Sequence, residues 1–231
     1  MKTMKLSVAV PALLVLGTLF TQGAIYTFTN YVNQPVPDAN PNGMNSTIYV
    51  SGLPFQTLDV NVYVNVSGGY NGDLYAYLSF GNGLAVLLNR VGKTGGNPFG
   101  YGNAGVNVKL DDDLGTDFHN YGGAGVPTGT YQPDARKVDP LLVTDLSSRT
   151  AFLSTFDNAD PNGTWTIFFA DMAGGFQSTV IGWGLEINAV PEPVPLALAV
   201  FGVLAGSIRF ARRWKHRRSS ALPDSPSRMR R

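Results

Sequence analysis

His119, in the run GTDFHNYGG, is the one histidine between the N-terminal apolar segment and the basic C-terminus. An imidazole is the side chain best placed to act as a base near neutral pH, so His119 is the candidate general base of the body. It has nothing to activate nearby. No Gly-x-Ser-x-Gly turn stands beside it, the chain contains no cysteine, and neither HExxH nor a phosphate-cradling glycine loop occurs. The other histidine, His216, sits among arginines. His119 therefore reads as a surface-loop residue, and the chain as a non-enzyme. A second chemistry belongs to oxygen donors. The run LDDDLGTD puts Asp111, Asp112, Asp113 and Asp117 in one turn, and clustered carboxylates are what Ca²⁺ takes as ligands. Asp111, Asp112 and Asp113 are thus a candidate calcium site, although their spacing is not that of an EF-hand loop. The plainer reading is that turns favour Asp and strands disfavour Glu.

Any such groups must be carried by strands. In LDVNVYVNV, Leu58, Val60, Val62, Val64 and Val66 alternate with polar residues, the pattern of a strand with one face on a core and the other in water. DLYAYLSF repeats it with Leu74, Ala76, Leu78 and Phe80. TWTIFFAD does so with Trp165, Ile167 and Phe169. VIGWGLEI places Ile181, Trp183, Leu185 and Ile187 opposite Gly182, Gly184 and Glu186. Turn clusters (DANPNG, SGGYNG, GKTGGNPFG, DPNG) separate these runs. In DPNG, Pro161 presets φ and Gly163 supplies a positive one, reversing the chain before a core strand. The pattern predicts an all-β fold, an antiparallel β-sandwich of jelly-roll or immunoglobulin-like kind, over residues 25–189. The long stretch from Asp111 to Ser154 reads as a folded surface excursion. Trp165 and Trp183 read as core anchors, with sugar-binding platforms as the alternative. The outward tyrosines Tyr63, Tyr75 and Tyr77 suit a platform better.

Charge is distributed unevenly. From Asp38 to Glu186 there are fourteen acidic residues against six basic ones, while nine Lys or Arg lie from Arg209 onward. An acidic body without a basic stripe argues against nucleic acid as a partner. At the N-terminus, Lys2 and Lys5 precede an apolar run from Leu6 to Phe20 and a small-residue exit, the pattern of an export signal helix over 1–24. Cleavage fits after Ala24 or Gly23, and an uncleaved anchor is the alternative. Export without cysteine leaves the fold to hold by its core alone.

Five blocks of the body, in order, resemble the P domain (P/Homo B) that follows the catalytic domain of subtilisin-like proprotein convertases. They are PDANPNG with STIYV, GYNGDLYAYLSFGNGLAVLLNR, GTYQPD, DPNGTWTIFFAD and STVIGWGLEI. The resemblance covers roughly residues 30–188. It implies a jelly-roll sandwich of about eight strands, calcium as a cofactor of some members, and an association with serine endopeptidases and proteolysis. The convertases carry their Asp-His-Ser triad on a separate, larger domain, and this chain has no room for one.

The C-terminal end has its own resemblance. Pro191, Glu192 and Pro193 open this end, sixteen uncharged residues run over 193–208 with Pro193 as the first, and Arg209, Arg212 and Arg213 begin the basic tail. This looks like a PEP-CTERM sorting signal over 190–218, with a single transmembrane helix and a basic cytoplasmic tail over 219–231. The arginines stay inside by the positive-inside rule. The uncharged run is shorter than a typical span of about twenty residues; Arg209 can extend it by snorkelling. An unprocessed single-span anchor is the alternative. The resemblance implies cleavage by an exosortase-type enzyme, passage through the inner membrane, and display at the cell surface or matrix of bacteria that make exopolysaccharide. The expected function is a non-catalytic structural or ligand-binding module, with the membrane, the exosortase-type enzyme and exopolysaccharide as partners. The alternative is an accessory domain to a subtilisin-like protease.

Overall fold

The structure is a computed structural model that describes residues 23–190 and 201–208. Nine strands follow in order: β1 (Ala24–Pro35), β2 (Asn40–Val50), β3 (Gln56–Gly68), β4 (Leu74–Phe80), β5 (Gly83–Asn89), β6 (Val106–Leu110), β7 (Thr128–Tyr131), β8 (Gly163–Asp171) and β9 (Ser178–Val190). They form two sheets, one of five strands in the order β1-β9-β3-β6-β7 and one of four in the order β2-β8-β4-β5. The protein is an all-β sandwich. A helix over 201–208 is the one helical segment beyond it among the described residues.

The inner faces follow the period-2 pattern. Val60, Val62, Val64 and Val66 from β3 meet Leu74, Ala76 and Leu78 from β4 and Ile167 and Phe169 from β8 in one core. Trp165 is completely buried, stacked on Phe80 at 4.1 Å and met edge-on by Phe156 at 5.0 Å. Its indole N–H donates to the Pro161 carbonyl at 2.9 Å, inside the DPNG turn. Gly163 in that turn has φ +143°, as a chain reversal there requires. Trp183 is buried too, and its N–H crosses between sheets to the Ser46 hydroxyl at 2.9 Å. Both indoles therefore anchor the core. Losing such a ring costs about 3–5 kcal/mol.

Several expectations are corrected. Leu58 does not continue the Val60–Val66 face. A bulge between Thr57 and Asp59 turns it outward and buries Thr57, which donates through its hydroxyl to the Ala159 carbonyl. Ile181 likewise leaves the core face. The register shifts between Asn65 and Val66, and Val180 takes the buried place. The sandwich is not wholly antiparallel, since β7 pairs with β6 in parallel. β1, an edge strand partly wrapped on the core, lies where no alternation was evident. β2 contains the strand expected at STIYV but begins earlier, within the PDANPNG turn, which it absorbs as an irregularity between Asn40 and Met44.

The excursion from Asp111 to Ser154 is a cover for the edge of β5. Its backbone pairs with that strand, Asp134 N–H to Leu87 O, Ala135 N–H to Val86 O, and Val86 N–H to Ala151 O. An exposed strand edge is thereby closed by chain that has no regular strand of its own there.

Candidate functional site

His119 is not on the surface. It lies in a short 3-10 turn (Phe118–Asn120) whose start is capped by the Asp117 carboxylate, and it is fully buried. Nδ1 faces Asp134 Oδ2 at 2.7 Å, and Nε2 faces the Lys93 carbonyl at 2.9 Å. Asp134 is equally buried, and its Oδ2 also accepts the Asn89 N–H at 3.1 Å. Arg136 sits beside both acids, 2.7 Å from Asp117 and 3.2 Å from Asp134. Two basic and two acidic side chains thus form a closed quartet, with Arg149 at 3.9 Å from Asp117 on its outer side. Burial pulls the His119 pKa down, but the Asp134 carboxylate outweighs it and the net shift is upward. Arg136 outweighs the burial of Asp117 and holds its carboxyl below the usual range. This arrangement can bind the excursion to β5. Both imidazole nitrogens are already committed, so no substrate proton is within its reach.

The aspartates of the run take different partners. Asp111 is buried, 3.5 Å from Lys109, and accepts the Asp113 N–H. Asp112 accepts the N–H groups of Leu153 and Ser154 at 3.1 and 2.7 Å, capping the 3-10 turn at Leu153–Phe156. Asp117 serves Arg136. Among the described residues, no three His, Cys, Asp or Glu side chains are grouped so as to hold a metal ion. Two other acids are perturbed. Burial, with Asp59, Asp112 and Asp113 adding to it, pushes Asp157 up to about 6. Burial likewise pushes Asp171 up to about 6, with Asp73 and Asp38 adding to it.

The tyrosines are divided between two surfaces. Tyr75 and Tyr77 lie half-buried on the outer face of the four-stranded sheet, where Tyr77 stacks on Phe168 at 4.9 Å. Tyr63 lies on the outer face of the five-stranded sheet, where the register sets out rows of facing residues. One row reads Tyr31, Gly182, Asn65, Asn107 across β1, β9, β3 and β6; the next reads Thr29, Gly184, Tyr63, Lys109. The glycines leave a trench of about 280 Å³ between the side chains of β1 and those of β3. They are also required by β1. A Cβ at Gly182 would lie 2.8 Å from the Asn30 carbonyl oxygen, and one at Gly184 would lie 2.7 Å from that of Phe28. The Tyr63 hydroxyl donates to Glu186 at 2.8 Å, and Glu186 accepts from Lys109 at 2.7 Å. Sequence reasoning named Tyr63 but missed Tyr31, Asn65 and Asn107. The two glycines facing outward in β9 were the available signal.

Pro191, Glu192, Pro193, Arg209, Arg212, Arg213 and the N-terminal signal over 1–22 lie outside the described residues. No described helix is long and apolar enough to cross a membrane.

No family model matches the chain, and no curated protein does. Among solved structures it is similar to a serine protease of Aeromonas sobria, at 14% identity and a TM-score of 0.41. That match covers 72% of this chain and 27% of the protease. The likeness brings no residue role to this chain.

Proposed function

We propose that this chain is an exported, non-catalytic β-sandwich module, held at the membrane by its C-terminal segment and then sorted to the cell surface. The reading is carried by how the sandwich ends. Strand β9 pairs with both β1 and β3 up to its last residues, and Pro191, Glu192 and Pro193 come next in the sequence. Among the described residues of the apolar segment that follows, 201–208, none belongs to the buried core. Within that segment Phe201, Val203 and Ile208 are 54–73% exposed, a poor state for apolar groups in water and a good one in lipid. The sealed His119 supports a non-catalytic body, since the sole candidate base there is spent on structure.

A processing enzyme that reads an extended Pro-Glu-Pro segment would depend on the single carboxylate of Glu192, whereas a plain anchor depends on apolar length and flanking charge. Intact-mass measurement on protein from the native host is expected to show loss of the apolar segment and the arginine tail. Glu192→Ala should insert normally yet keep its end at Arg231. A wild-type C-terminus still at Arg231 would leave only a single-span anchor.

A further inference from the structure

We infer that the trench over Gly182 and Gly184 is a binding site for a neutral oligosaccharide. The inference rests on the module reading above and gives it a ligand class and a site.

The trench follows from strand spacing. Neighbouring strands lie about 4.8 Å apart, so side chains on β1 and β3, separated by β9, stand roughly 9–10 Å apart with no side chain between them. That width admits one pyranose ring lying over the glycine backbone. Its volume, about 280 Å³, is at the small end for a ligand site and suits a short stretch of chain crossing an open face.

The lining gives the chemistry. Tyr31 and Tyr63 stand on opposite walls and are 74% and 37% exposed. A pyranose has an apolar C–H face, which packs on an aromatic ring, and a rim of hydroxyls that need partners. Tyr63 is held in place by its bond to Glu186, and Lys109 lies 5.9 Å from its ring centre, so that platform is organised before any ligand arrives. Asn65 and Asn107 are adjacent in one row, both exposed, and neither carboxamide is hydrogen-bonded to any described residue. Each presents donors and an acceptor in one plane, which matches a pair of neighbouring sugar hydroxyls. Asn30, by contrast, is turned away and spent on Ser46 and Thr47.

Charge selects within the class. No charged residue lines the trench. The nearest pair, Lys109 and Glu186, is mutually neutralised at 2.7 Å. The body from Asp38 to Glu186 carries eight more acidic than basic residues, which repels an acidic polysaccharide. A neutral glycan avoids that repulsion.

The test uses the full chain in detergent against an array of cello-, manno-, laminari- and galactohexaose, with hexagalacturonate as the acidic counterpart, followed by calorimetry on whatever binds. At least one neutral hexasaccharide is expected to bind, with an affinity that changes less than about threefold between low and high salt. Tyr31→Ala and Asn65→Ala should each weaken binding about tenfold or more. Both side chains are exposed, so the melting temperature should stay within a degree or so of wild type and separate lost contact from lost fold. Binding of no neutral hexasaccharide, preference for hexagalacturonate, or binding untouched by both substitutions would each overturn the inference. None of these results bears on C-terminal processing, which the mass measurement decides separately.

Discussion

The His119 imidazole faces an acceptor on each side, a carboxylate at Nδ1 and a carbonyl at Nε2, so only the imidazolium makes both hydrogen bonds at once. Its pKa is raised in the fold, and a raised pKa contributes stability that is fully present below the unfolded value and lost as pH rises through the folded one. Asp157 and Asp171, both pushed up to about 6, act in the same direction because burying their ionised forms is unfavourable. Asp117 and Glu186 act oppositely. Arg136 and Lys109 hold them low, so their contribution is present at neutral pH and lost as pH falls through those depressed values. The melting temperature measured by calorimetry should therefore rise from about pH 7.5 to about pH 5 and fall again in stronger acid. Asp171→Asn keeps the Oδ1 that accepts the Ala173 N–H and removes the charge. It should raise the melting temperature at neutral pH and flatten the rise toward pH 5. A wild-type profile that falls steadily from pH 7.5 to 5 would contradict the assignment.

At the scale of elements, the irregular places are the informative ones. β2 enters its sheet through Gly43, at φ +51°, where a Cβ would overlap the Phe169 carbonyl oxygen of β8. Gly81, in the β4–β5 turn, has a similar φ of +54° but open space around it. Left-handed backbone strain is common to both positions and the clash belongs to one. Gly81→Ala should cost about 1 kcal/mol. Gly43→Ala should cost at least about 2–3 kcal/mol, because the β2–β8 pairing must also shift. Urea titration of the two variants side by side reads the difference, and equal costs would mean that the β2 entry is loose.

Across the whole molecule, the buried quartet joins the Asp111–Ser154 excursion to the sandwich, and its balance is what makes it tolerable. Removing one anion from a buried ion network leaves a cation without its partner, at about 3–5 kcal/mol. Asp134→Ala leaves His119 in that position, takes one of its two carboxylates from Arg136, and also removes the acceptor of the Asn89 N–H. It should destabilise by about that amount in denaturant titration. Hydrogen exchange should show the loss of protection concentrated at Val86 and Ala135, whose amides close the β5 edge. Uniform loss across β3 and β9 would mean that the excursion and the sandwich unfold as one unit.

The all-β class, the core faces of β4 and β8, the indole anchors and the DPNG reversal were legible in the sequence. Each depends on alternation or turn chemistry within about ten residues, and that physics is local. The faces of Leu58 and Ile181 were not legible. A bulge inverts a side chain through the register of a neighbouring strand, and here the neighbour is more than a hundred residues away. Separation in sequence, though only of some 15 to 26 residues, also hid the quartet. His119 looks solitary in GTDFHNYGG, yet its partners come from residues 93 and 134, delivered by strand pairing and by the excursion folding back on β5. The trench was half legible. Two outward glycines in β9 announced a missing wall, but only the pairing of β1, β9 and β3 put Tyr31 opposite Asn65 and Thr29 opposite Tyr63. Composition and period determine which residues of a strand are dry. Which dry or wet surfaces meet is decided by register, a property of pairs of strands that neither strand carries by itself.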